Sequence, residues 1–330
     1  MTEDSHRPGE LAYRMRVTQY YAALAESRNP ACDPIAAQFV PRLAERRLSP
    51  EESEDPLSDQ GNEAVPRLVH RYRDRVLILV TDRCAAYCRH CFRRHFTGRG
   101  AGTVSVEQLD AMRAYLARHP EVGEILLSGG DPLTLDDAEL DRVLTVFYDL
   151  NAAYVVRVCT RVPVVMPSRI TQALSEQLGR REGLWLATQV NHPRELTPEF
   201  VRAAGLLQRA GVPVLNQAVL LRGVNDDPDT LCDLFRGLAR ARVKPYYLFQ
   251  ADLAAGTSHF RVEIEEGLAL MQELRRRISG LSLPIYALDL PGACSKINLE
   301  AALVRTEDRA YVLRDTDGRE HRYPRNPGVR

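Results

Sequence analysis

Lysine is almost absent from this chain of 330 residues. Of 44 basic residues, only Lys244 and Lys296 are lysines. Any chemistry that needs a primary amine on the protein therefore has two candidates. Excess charge is absent too: 44 acidic residues balance the 44 basic ones, so no bulk field argues for a nucleic-acid or membrane partner. No apolar run approaches the ~20 residues that a membrane span needs. The start, MTEDSHRPGELAYRMR, is charged and lacks the apolar core of a signal peptide. The seven cysteines are odd in number, which speaks against a complete disulfide framework. These absences together predict a soluble protein of a reducing compartment, the cytoplasm.

What is present begins with Cys84, Cys88 and Cys91, in Thr81-Asp-Arg-Cys84 and onward, directly after the apolar segment Arg75–Val80. A Cys-x3-Cys-x2-Cys spacing offers three thiolates to a four-iron cluster, and cluster irons take thiolate ligands. The fourth iron then keeps an open position, as catalytic metal sites do. Two plainer readings stand beside this one: isolated thiols, or a structural zinc whose fourth ligand is His90 or His95. The triplet resembles that of the radical S-adenosylmethionine enzymes, which implies that the open iron chelates that cofactor and that its cleavage releases a carbon radical. Cys32, Cys159, Cys232 and Cys294 read as ordinary small buried residues.

Residues 1–70 are polar and broken by Pro30, Pro34, Pro41, Pro50, Pro56 and Pro66, and read as an N-terminal helical extension. Within them Ser49 to Glu63 is acidic and turn-rich, a surface connection. From residue 75, short apolar runs rich in β-branched residues alternate with segments of helical period. Strands are predicted at Arg75–Thr81, Glu124–Gly129, Val155–Arg161, Leu184–Val190, Val214–Leu221 and Pro245–Gln250. Ser105 with Gln108 forms a capping box, Thr197 and Pro198 mark another helix start, and Gly211-Val-Pro213 closes that helix. Six strand–helix units argue for a parallel sheet, two units short of a closed eightfold barrel. The fold class predicted is α/β: a partial (β/α)6 barrel over 71–290, after the helical extension of 1–70. A seventh strand, Pro284–Leu290, is placed beside the barrel. The segment 291–330 ends in a β hairpin, Ala310–Arg314 and Arg319–Tyr323.

Leu126-Leu-Ser-Gly-Gly-Asp-Pro132 ends the second strand, and two glycines there let a backbone approach a ligand closely. Alone it is a common turn. In the enzymes that the cysteines resemble, such an element holds the cofactor's amino group, and Gly129, Gly130 and Asp131 match it. Further matches are His70-Arg-Tyr-Arg-Asp-Arg75, Arg93 and Arg94 in the cysteine loop, Asn191-His-Pro, Asn216 through Asn225, Pro245-Tyr-Tyr and His259-Phe-Arg. In combination, from about residue 65 onward, the chain resembles the lysine 2,3-aminomutase family.

That resemblance implies a [4Fe-4S] cluster, S-adenosylmethionine and pyridoxal phosphate, used together to move an α-amino group to the adjacent carbon. Lys296, in Asp289-Leu-Pro-Gly-Ala-Cys-Ser-Lys296, falls where the family's cofactor lysine follows a glycine-rich turn. A lysine can hold pyridoxal phosphate covalently if its amine is partly unprotonated; Lys244 reads as merely exposed. By the same resemblance Arg71, Tyr72 and Arg75 lie near pyridoxal phosphate, and an arginine fork suits a phosphate. Arg93 matches the arginine that pairs with the substrate carboxylate, and Gln217 a residue near S-adenosylmethionine. Asp252 and Asp289 match two aspartates that bind the distal ammonium of lysine. Two carboxylates around one ammonium make physical sense, because a desolvated cation needs paired acceptors.

The chain departs from the family pattern. Gln189 stands for a histidine, Phe92 for a threonine, Asp227 for a cysteine of an intersubunit zinc site, and Gly292-Ala-Cys-Ser295 for a longer glycine run; a C-terminal cysteine cluster is missing. The short C-terminus and the Cys91-Phe-Arg-Arg-His95 sequence lean toward the bacterial branch that isomerises lysine for modifying elongation factor P. An amino acid substrate, an electron donor such as flavodoxin or ferredoxin, and a homo-oligomer are the expected partners. The same shift on another amino acid, arginine above all, is the alternative within enzymes. A nonenzymatic iron–sulfur or zinc module is the alternative outside them, and it predicts cysteines far from Lys296 and Gly129–Asp131.

Overall fold

The computed structural model describes residues 13–291 and 295–325. Ten strands form one sheet in the order of the sequence. They are β1 (Glu63–Val65), β2 (Leu68–Tyr72), β3 (Arg75–Thr81), β4 (Glu124–Gly129), β5 (Val155–Cys159), β6 (Leu184–Thr188), β7 (Val214–Leu220), β8 (Lys244–Gln250), β9 (Ile285–Asp289) and β10 (Lys296–Asn298). From β3 to β9 every neighbour is parallel; β1, β2 and β10 attach antiparallel at the two ends. Among the described residues no ladder joins β10 back to β1, so the barrel stays partial. A separate sheet follows, of β11 (Leu303–Thr306), β12 (Ala310–Arg314) and β13 (Glu320–Pro324).

The six strands predicted between residues 75 and 250 are all present, each within two residues of its predicted ends. The seventh does not stand beside the barrel: β9 extends the same sheet, parallel to β8. Residues 13–62 hold one short helix, Gln19–Ala23, and three 3-10 turns among the described residues. Their prolines fix φ and remove backbone donors, which keeps each helical piece short.

The sheet has two faces of different character. Val76, Ile78 and Val80 of β3, Ile125 and Leu127 of β4, and Val156 and Val158 of β5 are buried against apolar stripes of the surrounding helices. Those stripes include Leu109, Met112 and Leu116 on the helix Val106–Leu116, and Leu231, Leu234, Phe235 and Leu238 on Pro228–Arg240. Each large side chain buried there contributes roughly 1.5–3 kcal/mol. Ser105 caps the first of these helices in a reciprocal box with Gln108, and Thr197 caps Pro198–Arg209. The strand residues between, of opposite parity, face inward: Leu77, Glu124, Leu126, Arg157, Cys159, Gln217, Val219 and Phe249 line a cavity of about 520 Å³. Closed barrels fill this space with layers of side chains. Here polar and aromatic groups leave it hollow, in the size range of small-molecule sites.

Candidate active site

The cavity brings together all fourteen residues singled out from the sequence: the three cysteines, Gly129, Gly130, Asp131, Gln217, Arg71, Tyr72, Arg75, Arg93, Asp252, Asp289 and Lys296. Cysteines and lysine, some two hundred residues apart in the chain, share one chamber. The binding-module alternative, which requires them to be far apart, fails on that geometry. No helix among the described residues is long and apolar enough to cross a membrane.

The three cysteines occupy the loop after β3. A tetrahedral zinc with Zn–S bonds of 2.3 Å would bring thiolates to about 3.8 Å from each other. Among the described residues the one group of ligand atoms all within 4.8 Å of one another is Asp55, Asp59 and His95, so the three sulfurs are spread more widely than that. The His90 ring is buried, with burial and then the Arg161 guanidinium pressing its pKa down to about 3, and its Nε2 lies 3.4 Å from the Asn191 amide. Burial pushes the Cys84 and Cys91 thiols up.

Gly129 and Gly130 are glycines because two chains meet there. A Cβ on Gly129, whose φ is +113°, would stand 2.5 Å from the Thr81 carbonyl oxygen; one on Gly130 would stand 2.2 Å from that of Arg83. Gly130 and Asp131 N–H donate to those same carbonyls at 2.6 and 2.7 Å, latching the end of β4 to the entrance of the cysteine loop. The Asp131 carboxylate accepts from Leu133 N–H, Thr160 Oγ1, Arg161 N–H and Val162 N–H at 2.6–3.1 Å. Its oxygens are thus engaged within the protein, and it ties the ends of β4 and β5 together.

Two polar assemblies around the cysteines escape sequence reading. Arg161 donates from Nη1 to Cys88 Sγ at 2.8 Å and from Nη2 to Glu195 at 2.8 Å and Tyr21 at 2.9 Å. Arg89, between two cluster cysteines, is fully buried and pairs with Glu45, whose side chain is 3% exposed. Its Nη1 also donates to the Tyr13 and Arg14 carbonyls at 3.0 and 3.1 Å. The N-terminal segment is thereby clamped onto the cysteine loop. Removing one partner of a buried pair leaves an uncompensated charge, so Glu45→Ala is expected to destabilise the fold by roughly 3–5 kcal/mol, read as a lower denaturant midpoint. Only an Arg–Glu pairing 44 residues apart would have signalled it, and such pairs are too common to be informative.

Lys296 reaches the cavity through a chain reversal. Antiparallel pairing sets β10 against β9 with Lys296 directly opposite Asp289, so both side chains fall on the inner face. The Lys296 ammonium forms an ion pair with the Asp289 carboxylate and lies 4.2 Å from the centroid of the Phe249 ring. Tyr72 donates to the other Asp289 oxygen at 2.9 Å. The turn residues 292–294, including Cys294, lie outside the described residues. Lys244 is at the opposite end of β8, where its ammonium donates to the Leu281 and Leu283 carbonyls at 2.7 and 3.1 Å. It is half-buried rather than exposed, and it does not line the cavity. Of the other cysteines, Cys32 is exposed, Cys159 lines the cavity and Cys232 is buried.

Arg71 and Arg75 flank Tyr72 on the same wall, their guanidinium carbons 5.6 and 3.9 Å from its ring centroid. Arg71 also donates to the Leu290 carbonyl at 2.7 Å. A β-bulge opposite the Asn216–Gln217 step, where Pro245 and Tyr247 pair with consecutive residues, turns both Tyr246 and Tyr247 inward. Asp252 lies just past β8. No hydrogen bond to its carboxylate is found among the described residues, and burial, then the Asp289 charge, raise its pKa from 3.8 to about 7. A desolvated, unpartnered carboxylate beside a second one forms an acceptor for a cation.

Residues 78–235 match the family model described as the radical SAM superfamily. The chain is 41% identical over 306 residues to the L-lysine 2,3-aminomutase of Acetoanaerobium sticklandii, covering 92% of this chain and 74% of that protein. The chain belongs to the lysine 2,3-aminomutase family of radical SAM enzymes. It is 40% identical over 328 residues to the L-lysine 2,3-aminomutase of Bacillus subtilis, across 98% of this chain and 69% of that one. Identity to the glutamate 2,3-aminomutase of Clostridioides difficile is 34% over 318 residues, 96% of this chain and 75% of that protein. Among solved structures, a radical SAM methyltransferase from Sphaerobacter thermophilus superposes with a TM-score of 0.49 at 19% identity, over 67% of this chain and 68% of that one. Membership makes the protein a radical aminomutase, an isomerase, and implies a [4Fe-4S] cluster and S-adenosylmethionine. Three thiols on one loop at the wall of the cavity, with open space beside them, fit that pair of cofactors.

Proposed function

We propose that the protein moves the α-amino group of L-lysine to the β-carbon, with pyridoxal phosphate carried by Lys296. The observation that carries the reading is the acidic end of the cavity. Asp289 already receives a primary alkylammonium, that of Lys296, while Asp252 waits unpartnered next to it. A cofactor held by Lys296 would draw that nitrogen away from Asp289, and the two carboxylates together would then offer acceptors to the distal ammonium of a substrate. A glutamate side chain would meet two like charges at the same place.

The cluster with S-adenosylmethionine supplies a carbon radical able to take hydrogen from an unactivated carbon, and pyridoxal phosphate supplies a conjugated ring that lets a nitrogen shift between neighbouring carbons. This chain's own residues do the rest. Lys296 is the only lysine that lines the cavity and can hold the pyridoxal group. Arg71 and Arg75 supply donors for its phosphate. Arg93 orients the substrate by its carboxylate, and Asp252 with Asp289 fixes the other end. Holding both ends restricts which carbon faces the radical source, and such positioning is the protein's main contribution. Tyr72, Tyr246, Tyr247 and Phe249 wall off water from the radical.

A substrate panel tests the assignment. Reconstituted enzyme supplied in turn with lysine, arginine and glutamate under anaerobic reduction is expected to yield a 3-amino product from lysine. A product from arginine or glutamate and none from lysine overturns it.

A further inference from the structure

The acidic stretch from Ser49 to Asp59 looks in sequence like a surface connection, but it lies across the barrel mouth. Ser53 N–H donates to the Leu253 carbonyl at 2.8 Å, and Ala255 N–H returns a bond to the Ser53 carbonyl at 2.9 Å. The Glu52 carboxylate accepts from Gly256 N–H at 3.1 Å and from Arg261 at 3.0 Å. The strap is thus docked on the loop that begins at Asp252. Its far end reaches Arg93: Asp59 Oδ2 accepts from Arg93 Nε at 2.6 Å, with both side chains almost fully buried. Asp55 holds Asp59 in place, its two oxygens accepting from Asp59 and Gln60 N–H at 2.9 Å each.

Arg93 is gripped on three sides. Nε is taken by Asp59, Nη1 donates to Ser128 Oγ at 3.2 Å, and the guanidinium carbon lies 4.5 Å from the centroid of the Phe92 ring. Phe92 is one of the positions at which the chain departs from the family pattern. With Nε and Nη1 engaged, Nη2 has no hydrogen-bond partner among the described residues, and Arg93 lines the cavity. Its N–H groups remain to donate a charge-assisted hydrogen bond to a carboxylate. A side chain with several rotatable bonds otherwise loses entropy on being fixed, so prior clamping favours binding. Burial works to raise the Asp59 carboxyl, yet the Arg93 guanidinium holds it below the ordinary range, so the pair stays ionised.

We propose that Asp59 is a positioning residue of the substrate site: it fixes the Arg93 guanidinium so that its remaining N–H groups receive the α-carboxylate, which makes the 49–59 strap part of the site. The inference rests on the reading of Arg93 as carboxylate receptor. Specificity for an amino acid over the corresponding diamine follows from this clamp, since only the amino acid uses it.

The test compares lysine with 1,5-diaminopentane, which has both amines and no carboxylate, on the reconstituted holoenzyme. Asp59→Ala is expected to raise KM for lysine about ten- to a hundredfold, the worth of a hydrogen bond to a charged group. It should leave kcat nearly unchanged and the diamine's inhibition constant unaltered. Asp59→Asn keeps an acceptor oxygen without the charge and is expected to recover part of the loss; it also serves if the alanine variant fails to fold. An unchanged lysine KM in both variants overturns the proposal, as does an equal loss of lysine and diamine binding, which would mark general distortion. Arg93→Gln separates the two levels. If it leaves lysine KM unchanged, the carboxylate reading of Arg93 falls and the role of Asp59 with it. If it raises KM while Asp59→Ala does not, only the Asp59 proposal falls.

Discussion

Lys296→Ala is expected to abolish covalent attachment of pyridoxal phosphate and, with it, aminomutase activity. The chain makes this test unusually clean because it has two lysines. Borohydride reduction followed by peptide mass mapping should find the pyridoxyl group on the peptide containing Lys296 in the parent protein, and nowhere in the variant. Lys244 is the natural internal control. Its ammonium is held by two carbonyls at the start of β8, and burial lowers its pKa without bringing it near the cavity. An adduct that persists in Lys296→Ala, or that maps to Lys244, contradicts the assignment. Since Lys296 also neutralises Asp289 before any cofactor arrives, the variant should bind alkylammonium ions more readily than the cofactor-free parent does.

Asp252→Asn carries the second large effect. The carboxylate has no protein hydrogen bond to lose among the described residues, so the substitution should leave the fold nearly untouched while removing half of the acidic pair. Lysine KM is expected to rise about ten- to a hundredfold, again the worth of one charge-assisted hydrogen bond. Glutamate should bind the variant better than the parent, because one repelling charge is gone. The pH dependence gives an independent reading. With a pKa raised to about 7 by burial and by Asp289, Asp252 is largely protonated below neutrality and cannot attract a cation by charge. Lysine affinity should therefore increase as rising pH ionises this carboxyl, and Asp252→Asn should flatten that rise. The linkage to stability has the opposite sign. Between the ordinary 3.8 and about 7 the folded empty protein keeps a proton that the unfolded chain has released, so this group's contribution to stability falls as pH rises across that window. A flat profile of lysine affinity in the parent would contradict the role given to Asp252.

The strands were legible because parallel strands covered on one side by helices read as β-branched runs, and Val76, Ile78 and Val80 or Val156 and Val158 are such runs. Cys84, Cys88 and Cys91 were legible because a local spacing carries their chemistry. Lys296 stood out through the rarity of lysine. What could not be read depends on contacts made across the chain. Asp59 and Glu52 lie in an acidic, turn-rich stretch that looks like any solvated connection, and only their docking on Arg93 and Arg261 shows otherwise. The inward turn of both Tyr246 and Tyr247 needs a one-residue bulge that an alternating pattern does not foretell. Asp131 matched a cofactor-holding element by position, yet its oxygens are engaged by Leu133, Thr160, Arg161 and Val162, a partner set drawn from two separate strand ends.

The central claim is that one cavity joins radical generation at the three cysteines to pyridoxal chemistry at Lys296. Its most direct test is an omission experiment on anaerobically reconstituted protein with L-lysine and dithionite. β-Lysine, detected by mass spectrometry, is expected when iron–sulfide reconstitution, S-adenosylmethionine and pyridoxal phosphate are all supplied, and is expected to vanish when any one is withheld. Turnover that persists without pyridoxal phosphate, or no β-lysine with all three present, would contradict the account.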